Sequence, residues 1–235
     1  MRSPILVFTI ISLSLYSLLP FTWAVELTDQ PLLRLNTEMH VAKIIRIDSE
    51  ATGKTILTCS NDKTAKLWDA TDGRLLKTLK VPMDAGYEGR LSACSLSPDG
   101  TVAAVGGYTR QNVPGNHNTY FFDTASGDLL QRLKGLGNVT YDLEFHTNRI
   151  LAAALGNGEG IRIFQKNGHS FQETHRDMDY GDNVYNLSFV ADGRLATVCD
   201  DGHIRLYDSN FTLIKKVATQ GGETPFNLAF SSDGS

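Results

Sequence analysis

The chain has 235 residues, 41% of them hydrophobic and 20% charged, with a formal net charge of −4. This composition indicates a globular protein, and its mild acidity argues against binding to nucleic acid or to an anionic membrane, either of which calls for a basic surface. The three cysteines (Cys59, Cys94 and Cys199) fall in apolar segments, and an odd number leaves at least one thiol unpaired. Buried free thiols and a Cys59–Cys94 disulfide are both compatible with the sequence.

The amino terminus has the pattern of a targeting segment. Met1-Arg2 carries one positive charge, the uncharged apolar run Ile5–Leu19 follows, and Thr22-Trp23-Ala24 has the small-residue pattern of a cleavage site. A membrane-spanning helix is the alternative, but it would need about 20 predominantly apolar residues. The sequence therefore predicts a signal peptide at residues 1–24, export to the periplasm or the extracellular space, and no membrane insertion after cleavage.

The rest of the chain repeats. Four units end in an aromatic landmark (Trp68, Phe122, Phe164 and Tyr207), with spacings of 54, 42 and 43 residues. A second landmark, a turn rich in Gly or Asn after an apolar alternating strand, recurs in register at residues 53, 100, 148, 193 and 234. We expect these turns to need a residue that tolerates positive φ. A period of about 40–45 residues that ends in Trp-Asp or a related pair is typical of WD40 propeller blades.

Each unit reads as four short strands, labelled a to d from the centre outward. The predicted fold is all-β, a WD40-type β-propeller with blades at about residues 39–80, 89–134, 138–174 and 183–218 and the first strand of a fifth at 224–235. Residues 31–35 resemble the outer strands of the later units. A lone outer strand at the front and an incomplete last unit are expected of a fragment of a seven-bladed propeller.

Residues 39–47, 66–69, 86–91 and 204–208 also resemble the amino-terminal WD40 region of secreted bacterial caspase-family (clan CD cysteine peptidase-like) proteins. The resemblance covers roughly residues 30–235. The resemblance to WD40 repeats in general is more specific than the resemblance to this subfamily. It implies a scaffold that precedes a peptidase-like domain. Nothing in this chain matches that domain, since none of the three cysteines has a catalytic context.

Four residues, His40, Ser60, Asp62 and Trp68, match the positions of the structural hydrogen-bond tetrad in a WD40 blade. In this interpretation Asp62 accepts from the His40 ring, Ser60 is the bridge, and the Trp68 indole N–H donates. A Ser-His-Asp hydrolase would need an exposed nucleophile and an oxyanion hole, whereas the repeat register puts these groups inside a blade. In the fourth unit Asp201 and Tyr207 keep part of the set, with Cys199 at the serine position.

No metal or cofactor site is expected. The acidic segment 177–182 does not have the residue order of an EF-hand loop, because Gly181 precedes Asp182. His169 and His175 are six residues apart without an evident third ligand for zinc.

Three connections are longer than a minimal blade requires: Lys80–Arg90, Gly107–Asn118 and Glu173–Asn183. By repeat position they emerge on one face, and elaborated loops on a rigid scaffold are where binding usually resides. They carry residue types that are enriched at protein interfaces, which makes the predicted partner-binding face Met83, Tyr87, Arg90, Tyr108, Arg110, Arg176 and Tyr180.

The sequence therefore favours a non-enzymatic scaffold that binds a protein partner or its own missing carboxy-terminal domain. An exported propeller enzyme, of the hydrolase or quinone-dependent dehydrogenase type, is the alternative. It would need convergent acids or cofactor ligands that the sequence does not display. A structural envelope module without a discrete ligand is the third interpretation.

Overall fold

The protein forms four antiparallel sheets of four strands each in a computed structural model that describes residues 38–109 and 116–231. The predicted signal peptide, the strand-like segment 31–35, Arg110 and Gly234 lie outside the described residues. The description below concerns the unit from Asn36 to Ser235.

Each sheet is one blade, and its strands follow one another in chain order. Blade 1 contains β1 (Ile44–Ser49), β2 (Thr55–Ser60), β3 (Thr64–Asp69) and β4 (Leu75–Lys80). Blade 2 contains β5 (Arg90–Leu96), β6 (Val102–Tyr108), β7 (His117–Asp123) and β8 (Leu129–Leu136). Blade 3 contains β9 (Thr140–Thr147), β10 (Ile150–Leu155), β11 (Ile161–Asn167) and β12 (Ser170–Asp177). Blade 4 contains β13 (Val184–Phe189), β14 (Leu195–Cys199), β15 (His203–Tyr207) and β16 (Leu213–Ala218).

These sheets confirm the predicted all-β propeller fold. Within the two described ranges the single helical element is the short 3-10 turn Gln220–Gly222. The same residues include no helix with the length and apolar character needed to cross a membrane.

The hairpin turns between strands a and b agree only partly with expectation. Gly53, Gly100 and Gly193 have φ values of 68°, 71° and 92°, the left-handed region that glycine adopts without steric cost. Asn148 does not have a positive φ, contrary to the prediction. There the Thr147 hydroxyl accepts from the Arg149 and Ile150 amides, at 3.2 and 3.1 Å, and a left-handed residue is not required.

Neighbouring blades pack face to face, and the alternation of side chains along a strand lets an internal blade contact both of its neighbours. In blade 2, Ala103 and Val105 join the cluster shared with blade 1, while Val102 and Ala104 join the cluster shared with blade 3. Tyr120 and Phe122 face blade 1 in the same way, and Phe121, between them, faces blade 3. Since both faces of blade 2 are buried, its middle strands β6 and β7 are buried at nearly every position.

Side-chain oxygens also tie each inner strand to the next. Asp48 Oδ2 on β1 accepts from the Leu96 amide on β5 at 2.8 Å. At the same repeat position Ser95 Oγ accepts from the Phe145 amide at 3.1 Å, and Glu144 Oε1 accepts from the Phe189 amide at 3.0 Å. This series holds β1, β5, β9 and β13 side by side around the axis.

All three cysteines are free and buried in the structure. Burial, and then the neighbouring Cys59 thiol, raise the pKa of Cys94 well above its ordinary value. Burial likewise raises the pKa of Cys199. Thiols of this kind are inert, since the thiolate is the reactive form.

Two boundaries differ from the sequence prediction. Residues 224–231 form no strand, but they lie where the inner strand of a next blade is expected, because the Leu228 amide donates to Asn186 Oδ1 on β13 at 3.1 Å. No strand among the described residues pairs with this segment, and a single segment cannot form a ladder. The predicted long loop Glu173–Asn183 is shorter, since β12 continues to Asp177.

Candidate functional site at the axial mouth

A cavity of ≈ 210 Å³ opens at one end of the four inner strands. We call this place the axial mouth and define it by its lining residues: Ile45, Arg46, Ser92, Tyr141, Tyr185 and Phe226. Every blade contributes, together with the segment after blade 4.

A β-bulge at the same place in each inner strand creates this convergence. The pairing register shifts between Ile44 and Arg46, between Leu91 and Ala93, and between Val184 and Asn186. In β9 the shift lies opposite Ala154 and Leu155, so that Tyr141 is the extra residue. A bulge leaves its extra residue out of the ladder and redirects that side chain. Four of the six lining residues (Ile45, Ser92, Tyr141 and Tyr185) occupy these bulges.

Arg46 crosses the mouth from blade 1 towards blades 3 and 4. Its Nη2 donates to the Tyr185 carbonyl oxygen at 2.5 Å and to the Tyr141 carbonyl oxygen at 3.4 Å. Its Nε lies 3.2 Å from Asp142 Oδ1. The Arg46 charge is thus matched by a buried carboxylate, which orients the guanidinium.

Buried acids lie beneath the mouth on the inner strands. Burial raises the pKa of Asp142 to about 6, against the opposing charge of Arg46. Burial also raises the pKa of Glu144 to about 8, and the charges of Asp142 and Asp48 add to the rise. These carboxylates bind backbone amides and Arg46, and so are parts of the scaffold.

Aromatic rings extend along the rim of the mouth, and we call Tyr87, Tyr108, Tyr141, Tyr185 and Phe226 the aromatic strip. The ring centroids are 6.0 Å apart for Tyr87 and Tyr108, 5.4 Å for Tyr141 and Tyr185, and 5.1 Å for Tyr185 and Phe226. Burial raises the pKa of Tyr141, and the neighbouring Tyr108 adds to the rise, which links the two halves of the strip. Tyr87 and Phe226 are exposed, whereas the rings between them are half-buried.

The two ends of the strip differ in charge. At the blade 2 end the Arg90 guanidinium lies 4.1 Å from the Tyr87 ring centroid, a cation–π geometry. At the blade 4 end the Tyr185 hydroxyl donates to Asp200 Oδ2 at 3.0 Å. Burial, the bond to Asp200 and the charges of Asp200 and Asp182 raise the pKa of Tyr185. The strip therefore has a guanidinium against its blade 2 end and a carboxylate bonded to its blade 4 end.

The tetrad residues of blade 1 meet, but through a different bridge. Thr58 Oγ1 accepts from the Trp68 indole N–H at 2.8 Å and lies 2.7 Å from His40 Nε2, while His40 Nδ1 lies 2.8 Å from Asp62 Oδ2. Ser60, the predicted bridge, instead donates to the Ala42 carbonyl oxygen at 3.2 Å and accepts from the Asp62 amide. The Ser60 side chain is fully buried and has no access to a substrate.

Blade 4 builds the equivalent network from other residues. The Tyr180 hydroxyl lies 2.9 Å from Thr197 Oγ1 and 2.7 Å from the Tyr207 hydroxyl, which donates to Asp177 Oδ2. Cys199 Sγ contacts the Asp182 carbonyl oxygen and the Asp201 amide, as Ser60 Oγ contacts their counterparts in blade 1.

Tyr180 was predicted to lie on the partner-binding face, and that prediction is wrong. It is 7% exposed, its ring stacks under Arg205 at 4.0 Å, and Arg205 is held by Asp201 at 2.6 Å. The repeat explains the difference, because Tyr180 stands four residues before β13 just as His40 stands four residues before β1. It therefore takes a place in the blade interior.

The other residues of the predicted face separate into two groups. Tyr87, Arg90 and Tyr108 are in contact on the rim, and Met83, exposed, lies in the same loop as Tyr87. Arg176 is on the outer strand β12, where it forms an ion pair with Glu173 at 2.5 Å. Arg110 lies outside the described residues.

The sequence prediction missed Thr58, Tyr141, Tyr185 and Phe226. The three aromatic residues stand at one repeat position, near the start of β9, near the start of β13 and in the segment after blade 4, with spacings of 44 and 41 residues. That register is visible in the sequence, but an aromatic residue in a strand usually packs in the core. The bulges that redirect these rings have no comparable sequence signal.

No group of three or more His, Cys, Asp or Glu side chains within residues 38–109 and 116–231 is placed to hold a metal ion.

Two segments of the chain, residues 34–69 and 167–208, match the family described as WD domain, G-beta repeat. Small ribosomal subunit protein RACK1y of Oryza sativa subsp. japonica is 29% identical over 171 residues, which cover 69% of this chain and 46% of that protein. WD repeat-containing protein SL1-17 of Schistosoma mansoni is 27% identical over 177 residues, which cover 73% of this chain and 52% of that protein. The chain thus spans about half the length of these relatives, and the matches support a WD40 propeller.

The expectation of export is wrong. The rice relative is named as a protein of the small ribosomal subunit, a particle that works inside cells. The apolar run Ile5–Leu19, from which export was inferred, lies outside the described residues.

Proposed function

We propose that this chain is a non-enzymatic scaffold that binds a protein partner at the axial mouth and along the aromatic strip. The observation that carries the proposal is the convergence of Tyr and Phe rings from separate blades on one rim, with exposed Tyr87 and Phe226 at its ends. Rigid aromatic side chains provide contact area at a small entropic cost, and they dominate protein interfaces. The two WD-repeat relatives support a role of this class.

The polar residues of the described site also favour binding over catalysis. Ser60 is buried, and Asp142 is paired with Arg46. Glu144 binds a backbone amide. A hydrolase needs a nucleophile, a base and a place for the reacting atom within reach of one another.

A paired substitution tests the proposal. We expect Tyr87→Ala with Arg90→Glu to weaken capture of protein partners by purified full-length protein at least about tenfold, because central aromatic and Arg contacts contribute most binding energy. Leu129→Ala with Lys54→Glu is the matched control, since both positions are exposed and neither lines the mouth: Lys54 is in the β1–β2 turn and Leu129 is the first residue of β8. Equal capture by the two variants, with equal melting temperatures, would place the interface elsewhere.

Association with a caspase-like peptidase domain is a finer form of the same proposal, supported by the resemblance of residues 39–47 and 86–91. It is tested by mixing the scaffold with such a domain as a separate polypeptide and measuring binding by calorimetry. Absence of binding at micromolar concentrations would exclude a direct complex.

A further inference from the structure

We infer that the blade 4 end of the axial mouth binds one basic side chain, arginine or lysine, presented by the protein partner. The inference rests on the proposed scaffold function and adds the chemistry of the residue that enters the mouth. Tyr141, Tyr185 and Phe226 surround this end, and Asp182 and Asp200 supply its charge.

The three rings present π faces at different orientations. Tyr141 meets Tyr185 edge-on at 74°, while Phe226 stacks on Tyr185 at 29°. Phe226 is 68% exposed, so an incoming group reaches it without displacing a packed neighbour. A cation within about 6 Å of such a face is attracted to it, and arginine is the residue most often found there.

The carboxylates lie beside the Tyr185 hydroxyl. Asp200 Oδ2 accepts from it at 3.0 Å, and Asp182 immediately precedes Asn183, whose Nδ2 lies 3.5 Å from the same hydroxyl. Burial raises the pKa of Tyr185, and the charges of both carboxylates add to that rise. Asp200 also accepts from the Thr224 hydroxyl at 2.5 Å. An ionised carboxylate offers about four acceptor positions, so two remain for a ligand.

The arginine that lines the mouth and the two buried arginines of blades 3 and 4 are already paired. Arg46 is bound to Asp142 and to two carbonyl oxygens. Arg162 and Arg205 lie 2.9 and 2.6 Å from Glu159 and Asp201. A ligand cation at the mouth therefore meets carboxylates that lack a cationic partner among the ion pairs of the described residues.

The cavity also has the size for one side chain. Its volume of ≈ 210 Å³ is below the roughly 300–1,000 Å³ of sites for drug-sized ligands and cofactors. Four strand bulges shape it, so its form is set by the scaffold.

The test uses two acetylated, amidated tripeptides, Ala-Arg-Ala and Ala-citrulline-Ala, which differ in the charge of the central side chain. We expect the arginine peptide to bind the full-length protein, with NMR shift changes at the rings of Tyr141, Tyr185 and Phe226. We expect the citrulline peptide to bind at least about fivefold more weakly.

Two variants locate the site. Asp182→Asn keeps an acceptor for the Asn183 amide and should weaken arginine-peptide binding about fivefold, and Phe226→Leu should act in the same direction. Asp192→Asn is the control, because Asp192 is an exposed carboxylate in the β13–β14 turn. Circular dichroism and melting of each variant verify the fold.

Equal binding of the two peptides, no binding of the arginine peptide at millimolar concentration, or undiminished binding to folded Asp182→Asn would overturn the inference. Partner capture that depends on Tyr87 and Arg90 while the arginine peptide does not bind would leave the scaffold function intact. Arginine-peptide binding without such capture would reject the scaffold function and keep the pocket.

Discussion

At the residue scale, polar groups inside the blades hold the structure only when each has its partner. Thr58 is the clearest case, because a single hydroxyl serves both Trp68 and His40. A serine at position 60 looked equally suitable in the sequence, since Ser and Thr hydroxyls have the same hydrogen-bonding capacity. Both side chains leave the same face of β2, so their place along the strand decides between them. Thr58 is two residues from Ile56, the pairing partner of Trp68, whereas Ser60 ends the strand and binds the Ala42 carbonyl oxygen and the Asp62 amide.

Replacing Thr58 with Val should lower the free energy of unfolding by about 1–3 kcal/mol, since it leaves the indole N–H and the imidazole without the shared partner in a buried place. Urea denaturation measures the change. Thr174→Val on the exposed part of β12 is the matched control, with a change below about 0.5 kcal/mol. If Thr58→Val and Thr174→Val cost the same, Thr58 is not the bridge.

Glu144 should make stability depend on pH. Its carboxyl titrates at about 8 in the folded protein and near its ordinary value of 4.5 in the unfolded chain. Between these values the folded state binds the extra proton, so stability falls as pH rises from about 4.5 to 8. Glu144→Gln keeps an acceptor for the Phe189 amide. It should remove the contribution of Glu144 to the loss of stability between pH 5 and pH 8. Urea denaturation midpoints at the two pH values measure this contribution.

Asp192→Asn is the control for that measurement, because bonds from Arg194 lower the pKa of Asp192 below its ordinary 3.8 and its titration lies outside the window. Asp142, with a pKa of about 6, continues to titrate in both proteins. If the stability of the wild-type protein falls between pH 5 and pH 8 by no more than that of Glu144→Gln, the Glu144 carboxyl is solvated.

At the scale of the strands, a side chain of one blade bonds to backbone groups of the next, as a neighbouring strand would. Gln131 on β8 donates through Nε2 to the Phe171 carbonyl oxygen on β12 at 2.8 Å and accepts from the Phe171 amide through Oε1 at 2.7 Å. The Phe171 ring stacks on Phe121 with a centroid distance of 4.5 Å. The outer edges of blades 2 and 3 are thereby closed without a shared ladder.

Gln131→Leu should cost about 1–3 kcal/mol, because both backbone groups of Phe171 lose their partner while the volume is kept. Hydrogen exchange of the Phe171 amide should become faster. A general loss of stability would instead speed up exchange at many amides. The control is Gln172→Leu, the next residue along β12, which is exposed. Slow exchange of the Phe171 amide in Gln131→Leu would mean that another group replaces the hydrogen bonds of Gln131.

At the scale of the whole molecule, blades 1 and 4 expose apolar residues of the kind that the internal blades bury. Val41 and Ile47 are 68% and 67% exposed, and Ile214 and Val217 are 54% and 42% exposed. Contiguous apolar patches on a soluble protein promote association.

We expect the unit Asn36–Ser235, expressed alone, to self-associate at micromolar concentrations. Ile47→Lys with Ile214→Lys should shift sedimentation velocity profiles towards the monomer, while Leu130→Lys, on an exposed strand of blade 2, should not. A wild-type chain that sediments as a monomer with a cooperative melt would contradict this expectation.

The amino-acid sequence by itself determined the repeat, the four-stranded units and the all-β propeller, because a sheet buried on both faces needs apolar residues at a fixed period. Contacts between distant residues decided the site. The bulges point Tyr141 and Tyr185 into the axial mouth, Arg46 crosses from blade 1 to blade 4, and Tyr180 enters the interior of a blade. Neither the bulges nor the contacts of Arg46 have a local signal, since one residue of register moves a side chain from one face of a strand to the other.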